Sequence, residues 1–148
     1  MEYLTLNNGN KMPMAGIGVF LLNPEETELS VLSALADGIR LIDTANGYMN
    51  EKAVGRAIAK SGVAREDIFL VTKLWPTVYT DENAIDETLA RLGTDYVDLL
   101  FLHQPAGDWR TGYKMMEKAY KEGKVKALGL SNFPEEWLKE IIETAEIK

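Results

Sequence analysis

The stretch Val97-Asp98-Leu99-Leu100-Phe101-Leu102-His103-Gln104-Pro105 decides the fold class of this chain. Four consecutive apolar residues, Leu99–Leu102, run into a histidine and a proline-marked turn. A strand with one wet face alternates apolar and polar residues, whereas an unbroken apolar run suits a strand covered on both faces of a parallel sheet. The pattern recurs on either side. Upstream, Ile68–Lys73 ends on lysine and Leu41–Asp43 on aspartate; downstream, Val125–Ser131 ends on serine, and Ala15–Phe20 is a further short apolar run.

Amphipathic helical segments separate these runs, near Pro24–Asp37, Glu51–Ser61, Asp81–Leu92, Thr111–Glu122 and Pro134–Ala145. Asn23-Pro24-Glu25-Glu26 supplies an N-cap, a proline at the first helical position and two acids where the helix dipole favours anions. Leu29, Leu32, Leu35 and Ala36 are expected to form its apolar stripe. Gly38, Gly62, Gly93 and Gly123 each follow a helical segment, where a left-handed residue ends the helix at no steric cost. Ahead of all this, Tyr3, Leu4 and Leu6, then Asn8-Gly9, then Lys11–Met14 predict a β-hairpin with a type I′ turn, and Pro13 restricts its second strand to an edge.

Strands alternating with helices imply a parallel sheet, either open and doubly wound or part of a (β/α) barrel. The polar residues favour the barrel. Asp43, Lys73, His103 and Ser131 each end a successive strand, at intervals of about 30 residues, one-eighth of a typical barrel. A barrel gathers its reactive groups at that rim. A doubly wound fold would place a glycine-rich phosphate loop after its first strand, but Gly16-Ile17-Gly18 lacks the third glycine and its helix starts too late. The expected fold class is therefore α/β: a partial (β/α) TIM-type barrel of about five parallel strands, each followed by a helix, with an N-terminal hairpin, in one domain over residues 1–148.

Composition narrows the function classes. A formal net charge of −7 disfavours nucleic-acid and anionic-membrane partners. With no cysteine, disulfides, thiolate catalysis and cysteine-zinc sites are excluded, and a single histidine argues against a metal centre. No apolar run approaches the length of a membrane span and the first residues lack a signal-peptide pattern, so the cytoplasm is the default expectation.

Three strand-end residues and one tyrosine could do chemistry together. If their strands are neighbours, Asp43 and Lys73 can pair at the rim, an arrangement that serves a structural ion pair as readily as a reaction. Tyr48 follows five residues after Asp43. A phenol is a poor acid at neutral pH unless a cation favours its phenolate, and Lys73, itself held by Asp43, is placed to do that. His103 falls next to Lys73 in the barrel register, where it could hydrogen-bond a carbonyl oxygen. Taken singly, Tyr48 reads equally as an ordinary half-buried tyrosine and His103 as a structural one.

The blocks Gly16-Ile17-Gly18-Val19-Phe20, Asp43-Thr44-Ala45, Tyr48 with Asn50-Glu51, Val71-Thr72-Lys73-Leu74-Trp75, Leu102-His103-Gln104-Pro105 and Gly129-Leu130-Ser131-Asn132-Phe133 together resemble the aldo-keto reductases, in the bacterial diketogluconate and methylglyoxal reductase branch. The resemblance runs in order along essentially the whole chain. It implies reduction of small aldehydes or ketones with NADPH. Tyr48 would be the general acid, supported by Lys73 and Asp43, with His103 orienting the carbonyl. Ser131 and Asn132 match the pair that holds the nicotinamide carboxamide; Asp43, Gly18 and Val19 match residues beside the nicotinamide ribose. Phe20, Trp75 and Trp109 match aromatic walls of the substrate pocket. Two departures stand out. Met49 occupies a position where the family has glycine, so a positive φ there would strain it. The chain also carries only about five of the family's eight repeats, which makes it an incomplete aldo-keto reductase barrel domain. Weak NADPH binding by a single chain, and a homodimer or larger assembly covering the open barrel side, are the expectations that follow. The alternative is a non-catalytic barrel fragment acting as a self-associating or cofactor-binding module.

Overall fold

The computed structural model describes residues 1–148. A hairpin of β1 (Tyr3–Thr5) and β2 (Lys11–Pro13) precedes five units of strand and helix: β3 (Gly16–Gly18) with α1 (Pro24–Ala36), β4 (Leu41–Asp43) with α2 (Glu51–Ser61), β5 (Phe69–Leu74) with α3 (Ala84–Leu92), β6 (Leu99–Leu102) with α4 (Trp109–Lys121), and β7 (Leu128–Leu130) with α5 (Glu135–Thr144). Strands β3 to β7 form one parallel sheet in sequence order, with β3 and β7 at its edges. This is the partial (β/α) barrel expected, its strands a few residues shorter than the apolar runs that announce them.

Register explains why the strand-end residues meet. Gly18 pairs with Asp43, Asp43 with Val71, Lys73 with Phe101 and Leu102 with Leu130. Side chains alternate between faces, so Asp43, Lys73 and His103 share the inner face with Phe69, Val71 and Leu99. The outer face, carrying Ile42, Leu70, Leu74, Leu100 and Leu102, packs with the helices into the main core. Every residue of β5 is buried.

The inner face is not bare. Phe69, Val71, Leu99 and Ala127 form a second buried cluster, against which Leu6 and Met12 of the hairpin region pack. Asn8 and Asn10 fasten that hairpin by donating their amide N–H groups to the Lys126 carbonyl, each at 2.9 Å. The hairpin thus covers the end of the barrel opposite the polar rim. Its turn differs from the expected type I′. Only Gly9 has a positive φ, 89°, while the Gly9 N–H donates to the Leu6 carbonyl and the Leu6 N–H to the Asn10 carbonyl, which makes a three-residue loop with a glycine bulge. Asn8 is instead held by its side chain, whose Oδ1 accepts from the Asn10 N–H.

Helix ends follow their sequence signals. Asn23 and Glu26 form a reciprocal capping box on α1. Gly38, Gly62, Gly93 and Gly123 all adopt positive φ just past a helix. The stripe on α1 is corrected: Thr27, Val31 and Leu35 are its buried residues, while Leu29 and Ala36 are exposed. With apolar residues on several faces of α1, spacing alone does not select the one turned inward. No helix is long and apolar enough to cross a membrane.

Candidate active site

The polar rim is built from the C-terminal ends of β4, β5 and β6 and the loops beyond them. Lys73, 9% exposed, donates to the Asp43 carboxylate and, at 3.0 Å, to the Thr44 carbonyl. An ammonium so deeply placed is uncompensated without such partners. The Asp43 side chain keeps 35% of its surface in solvent, so the pair sits at the mouth of the inner face rather than within it.

After β4 the chain makes a single 3₁₀ turn, Asn46–Tyr48, and Met49 adopts a left-handed conformation (φ 61°, ψ 23°) before α2 begins. That is the positive φ that disfavours a branched or bulky side chain; Met49 avoids clashes by standing 85% exposed. The turn sets the Tyr48 ring under the Lys73 ammonium, 5.1 Å from its centroid. Two buried residues just beyond fix the loop. Asn50 donates to the Val19 and Leu22 carbonyls and accepts from the Thr44 hydroxyl at 2.8 Å. Glu51 accepts from the Thr72 hydroxyl at 2.6 Å and from Arg91 Nε at 2.7 Å. Burial pushes the Glu51 carboxyl above its ordinary range, and these two donors oppose that rise.

His103 closes the rim. Its ring stands edge-on to Trp75, centroids 5.1 Å apart, and to Tyr48 at 5.6 Å, while Tyr48 packs on Phe20 at 4.9 Å. Burial, reinforced by the Lys73 charge, lowers the imidazole pKa from its ordinary value, so the ring is neutral at pH 7. Its Nδ1 is buried without a hydrogen-bond partner in the protein, which leaves the other ring nitrogen as the one the cavity can reach. Phe20, Gly47, Tyr48, Trp75, His103 and Gln104 enclose an open cavity of about 480 Å³.

The structure therefore brings Asp43, Lys73, Tyr48 and His103 to one rim, and sets Phe20 and Trp75 around the cavity beside it. Trp109 is not there. Only 2% exposed at the start of α4, it stacks on Trp137 at 5.2 Å and meets Phe133 edge-on at 5.5 Å. The family resemblance matched it to a pocket wall, but in this chain Phe133 and, from α5, Trp137 cover it. Gly18 lies on the inner face beside Asp43 with open space where a side chain would project. Val19 is buried, its N–H donating to the Asp43 carbonyl and its own carbonyl accepting from Asn50. In the sequence, Asn50, Glu51 and Gln104 stand out only as members of the family-like blocks, with no role of their own, and Gly47 not at all.

Ser131 and Asn132 stand where β7 ends. Asn132, at φ 64°, turns its amide nitrogen to the His103 carbonyl (3.3 Å) and the Ser131 hydroxyl oxygen (3.0 Å). That leaves the Ser131 O–H as a donor and the Asn132 side-chain oxygen as an acceptor. A nicotinamide carboxamide presents one carbonyl and one N–H₂, so this pair fits it.

The half-open (β/α) barrel thus carries a lysine-backed tyrosine, a carboxylate and a histidine on the C-terminal rim, the face on which such barrels place their reactive groups. The comparisons agree: residues 16–148 match the model of the Aldo/keto reductase family, and the chain belongs to that family. It is 45% identical to morphine 6-dehydrogenase of Pseudomonas putida over 97% of this chain and 51% of that protein. Against glyoxal reductase of Bacillus subtilis the identity is 43%, over 99% of this chain and 55% of the relative. The crystal structure of an aldo/keto reductase from Brucella melitensis superposes with a TM-score of 0.95 at 40% identity, covering 99% of this chain and 60% of that one. The aldose reductase of Schistosoma japonicum gives 0.93 at 35% identity, covering 100% and 58%. The chain spans about half the length of the curated relatives it matches.

Proposed function

We propose that this chain carries the acid–base site of an NADPH-dependent carbonyl reductase, acting on small aldehydes or ketones whose apolar or aromatic substituent rests between Phe20 and Trp75. The observation that carries the reading is the meeting of Tyr48, Lys73, Asp43 and His103 beside one cavity. The cofactor, when bound, supplies hydride to the carbonyl carbon. Ser131 and Asn132 hold its carboxamide, and Gly18 leaves room beside Asp43.

The chain's own groups handle the oxygen. Neutral His103 donates a hydrogen bond that orients the carbonyl and polarises it. Tyr48 gives its phenolic proton to the oxygen as negative charge develops there, so the alcohol leaves neutral and the phenolate is reprotonated from solvent. Lys73, paired with Asp43, sets its ammonium beside the ring and stabilises the phenolate in the interval. Phe20 and Trp75 supply apolar walls of the open cavity beside these groups.

The test is product formation. Purified chain, NADPH and an aromatic aldehyde are expected to yield the corresponding alcohol in proportion to cofactor oxidised. Absence of alcohol at saturating cofactor would defeat the reading.

A further inference from the structure

The His103 imidazole has no hydrogen bond at Nδ1, so its direction is set by the backbone that carries it and by the rings it leans on. That backbone is tied at four points. The His103 N–H donates to the Leu74 carbonyl at 3.0 Å, and the His103 carbonyl accepts from Asn132. The other two ties come from one residue. The Tyr79 hydroxyl donates to the Gln104 carbonyl at 2.9 Å and accepts from the Gln104 N–H at 3.1 Å. Tyr79 follows the 3₁₀ turn Pro76–Val78 beyond β5 and is wholly buried, so it cannot touch substrate.

We infer that Tyr79 is a positioning residue, whose two-way hydrogen bond to Gln104 sets His103 and Gln104 at the cavity. Why that placement matters rests on the reductase reading; whether Tyr79 sets it does not. Further observations support the assignment. Burial raises the Tyr79 pKa, so the hydroxyl keeps the proton it needs to donate and accept at once. Gly112 on α4 makes room for it: a Cβ there would stand 3.0 Å from the Tyr79 ring and 3.1 Å from Leu102. Loss of the hydroxyl leaves the Gln104 N–H without a partner and its carbonyl with the Ala106 N–H alone, at 2.9 Å, and the turn must move to satisfy the N–H.

His103 is the chain's one histidine, so its ring resonances can be read without ambiguity. The experiment compares them in wild type, Tyr79→Phe and Tyr113→Phe. Tyr113 is a matched control, a buried tyrosine whose hydroxyl donates instead to the Ile147 carbonyl at 2.7 Å. Tyr79→Phe is expected to shift and broaden the His103 signals, and Tyr113→Phe to leave them in place. Gly112→Ala, which presses on the Tyr79 ring without removing its hydroxyl, is expected to shift them too. In turnover, Tyr79→Phe should lower kcat about tenfold, whereas a purely stabilising role would lower Tm alone. Unmoved His103 signals in Tyr79→Phe, or equal movement in Tyr113→Phe, would overturn the inference. Should the wild type fail to turn over, the reductase reading falls while the resonances still decide what Tyr79 does.

Discussion

Replacing Asp43 with asparagine asks how much of the rim rests on one ion pair. The change keeps the shape and an accepting oxygen but removes the charge facing Lys73. Two unit charges about 4 Å apart at an effective dielectric of about 20 attract by about 4 kcal/mol. Because the Asp43 side chain is 35% exposed, water screens a large part of that, leaving roughly 2–3 kcal/mol. The lysine side chain, only 11% exposed, has little water to replace the charge it loses and keeps only neutral acceptors, the Thr44 carbonyl and the asparagine oxygen. Lys73→Met is a different perturbation. It leaves behind a carboxylate that can hydrate and one carbonyl without its donor, a cost of about 1 kcal/mol. Asp43→Asn should therefore be the more damaging substitution, lowering Tm by about 5–10 °C for a domain of this size. The double variant should fall near Lys73→Met, since removing both charges removes the stranded one. Urea midpoints at constant m measure all three. Equal losses for the two single variants, or an Asp43→Asn loss below about 0.5 kcal/mol, would refute the reasoning.

Gly55→Ala tests the packing of α2 on α3: the new Cβ would stand 2.5 Å from the Leu92 carbonyl oxygen and 2.8 Å from its carbon, both backbone atoms that cannot swing aside. A loss of about 1–3 kcal/mol is expected in denaturant titration, and an unchanged midpoint would contradict that contact. The lowered His103 pKa has a definite sign. The unfolded chain takes up the proton first, so this contribution is fully present above the unfolded histidine pKa and is lost as pH falls through the folded one. Relative to His103→Gln, wild-type stability should decline between about pH 8 and about pH 5; a constant difference would contradict burial of the neutral ring. We also propose that the 148-residue chain on its own self-associates through the unpaired edges of β3 and β7 and the open inner face. Sedimentation at micromolar concentration is expected to show a dimer or larger species, and a compact monomer would end that proposal.

Much of the architecture was legible because it rests on short-range rules. Apolar runs closing on Asp43, Lys73 and His103 revealed the parallel strands, and C-terminal glycines revealed the helix ends, since each signal lies within one element. The convergence of the rim was legible too, because regular spacing of strand ends becomes spatial adjacency in a barrel. What escaped was set by tertiary contact. Trp109 matched a pocket wall by resemblance, but Phe133 and, from α5, Trp137 bury it. Nothing near Tyr79 in sequence announces that its hydroxyl meets a turn 25 residues away. The hairpin showed its strands but not its task, as packing of Leu6 and Met12 on the inner face depends on partners distant in the chain. Its turn defied the Asn-Gly signal because the Asn8 side chain is drawn to the Lys126 carbonyl.

The central claim is that Tyr48 delivers a proton beside the Lys73 ammonium. Its most direct measurement is the rate of NADPH-dependent aldehyde reduction by Tyr48→Phe against wild type, at equal concentrations of folded protein. Loss of a positioned general acid should slow turnover by about 10²–10⁴-fold with the fold intact. A phenylalanine variant that reduces the aldehyde at the wild-type rate would show that the proton comes from elsewhere.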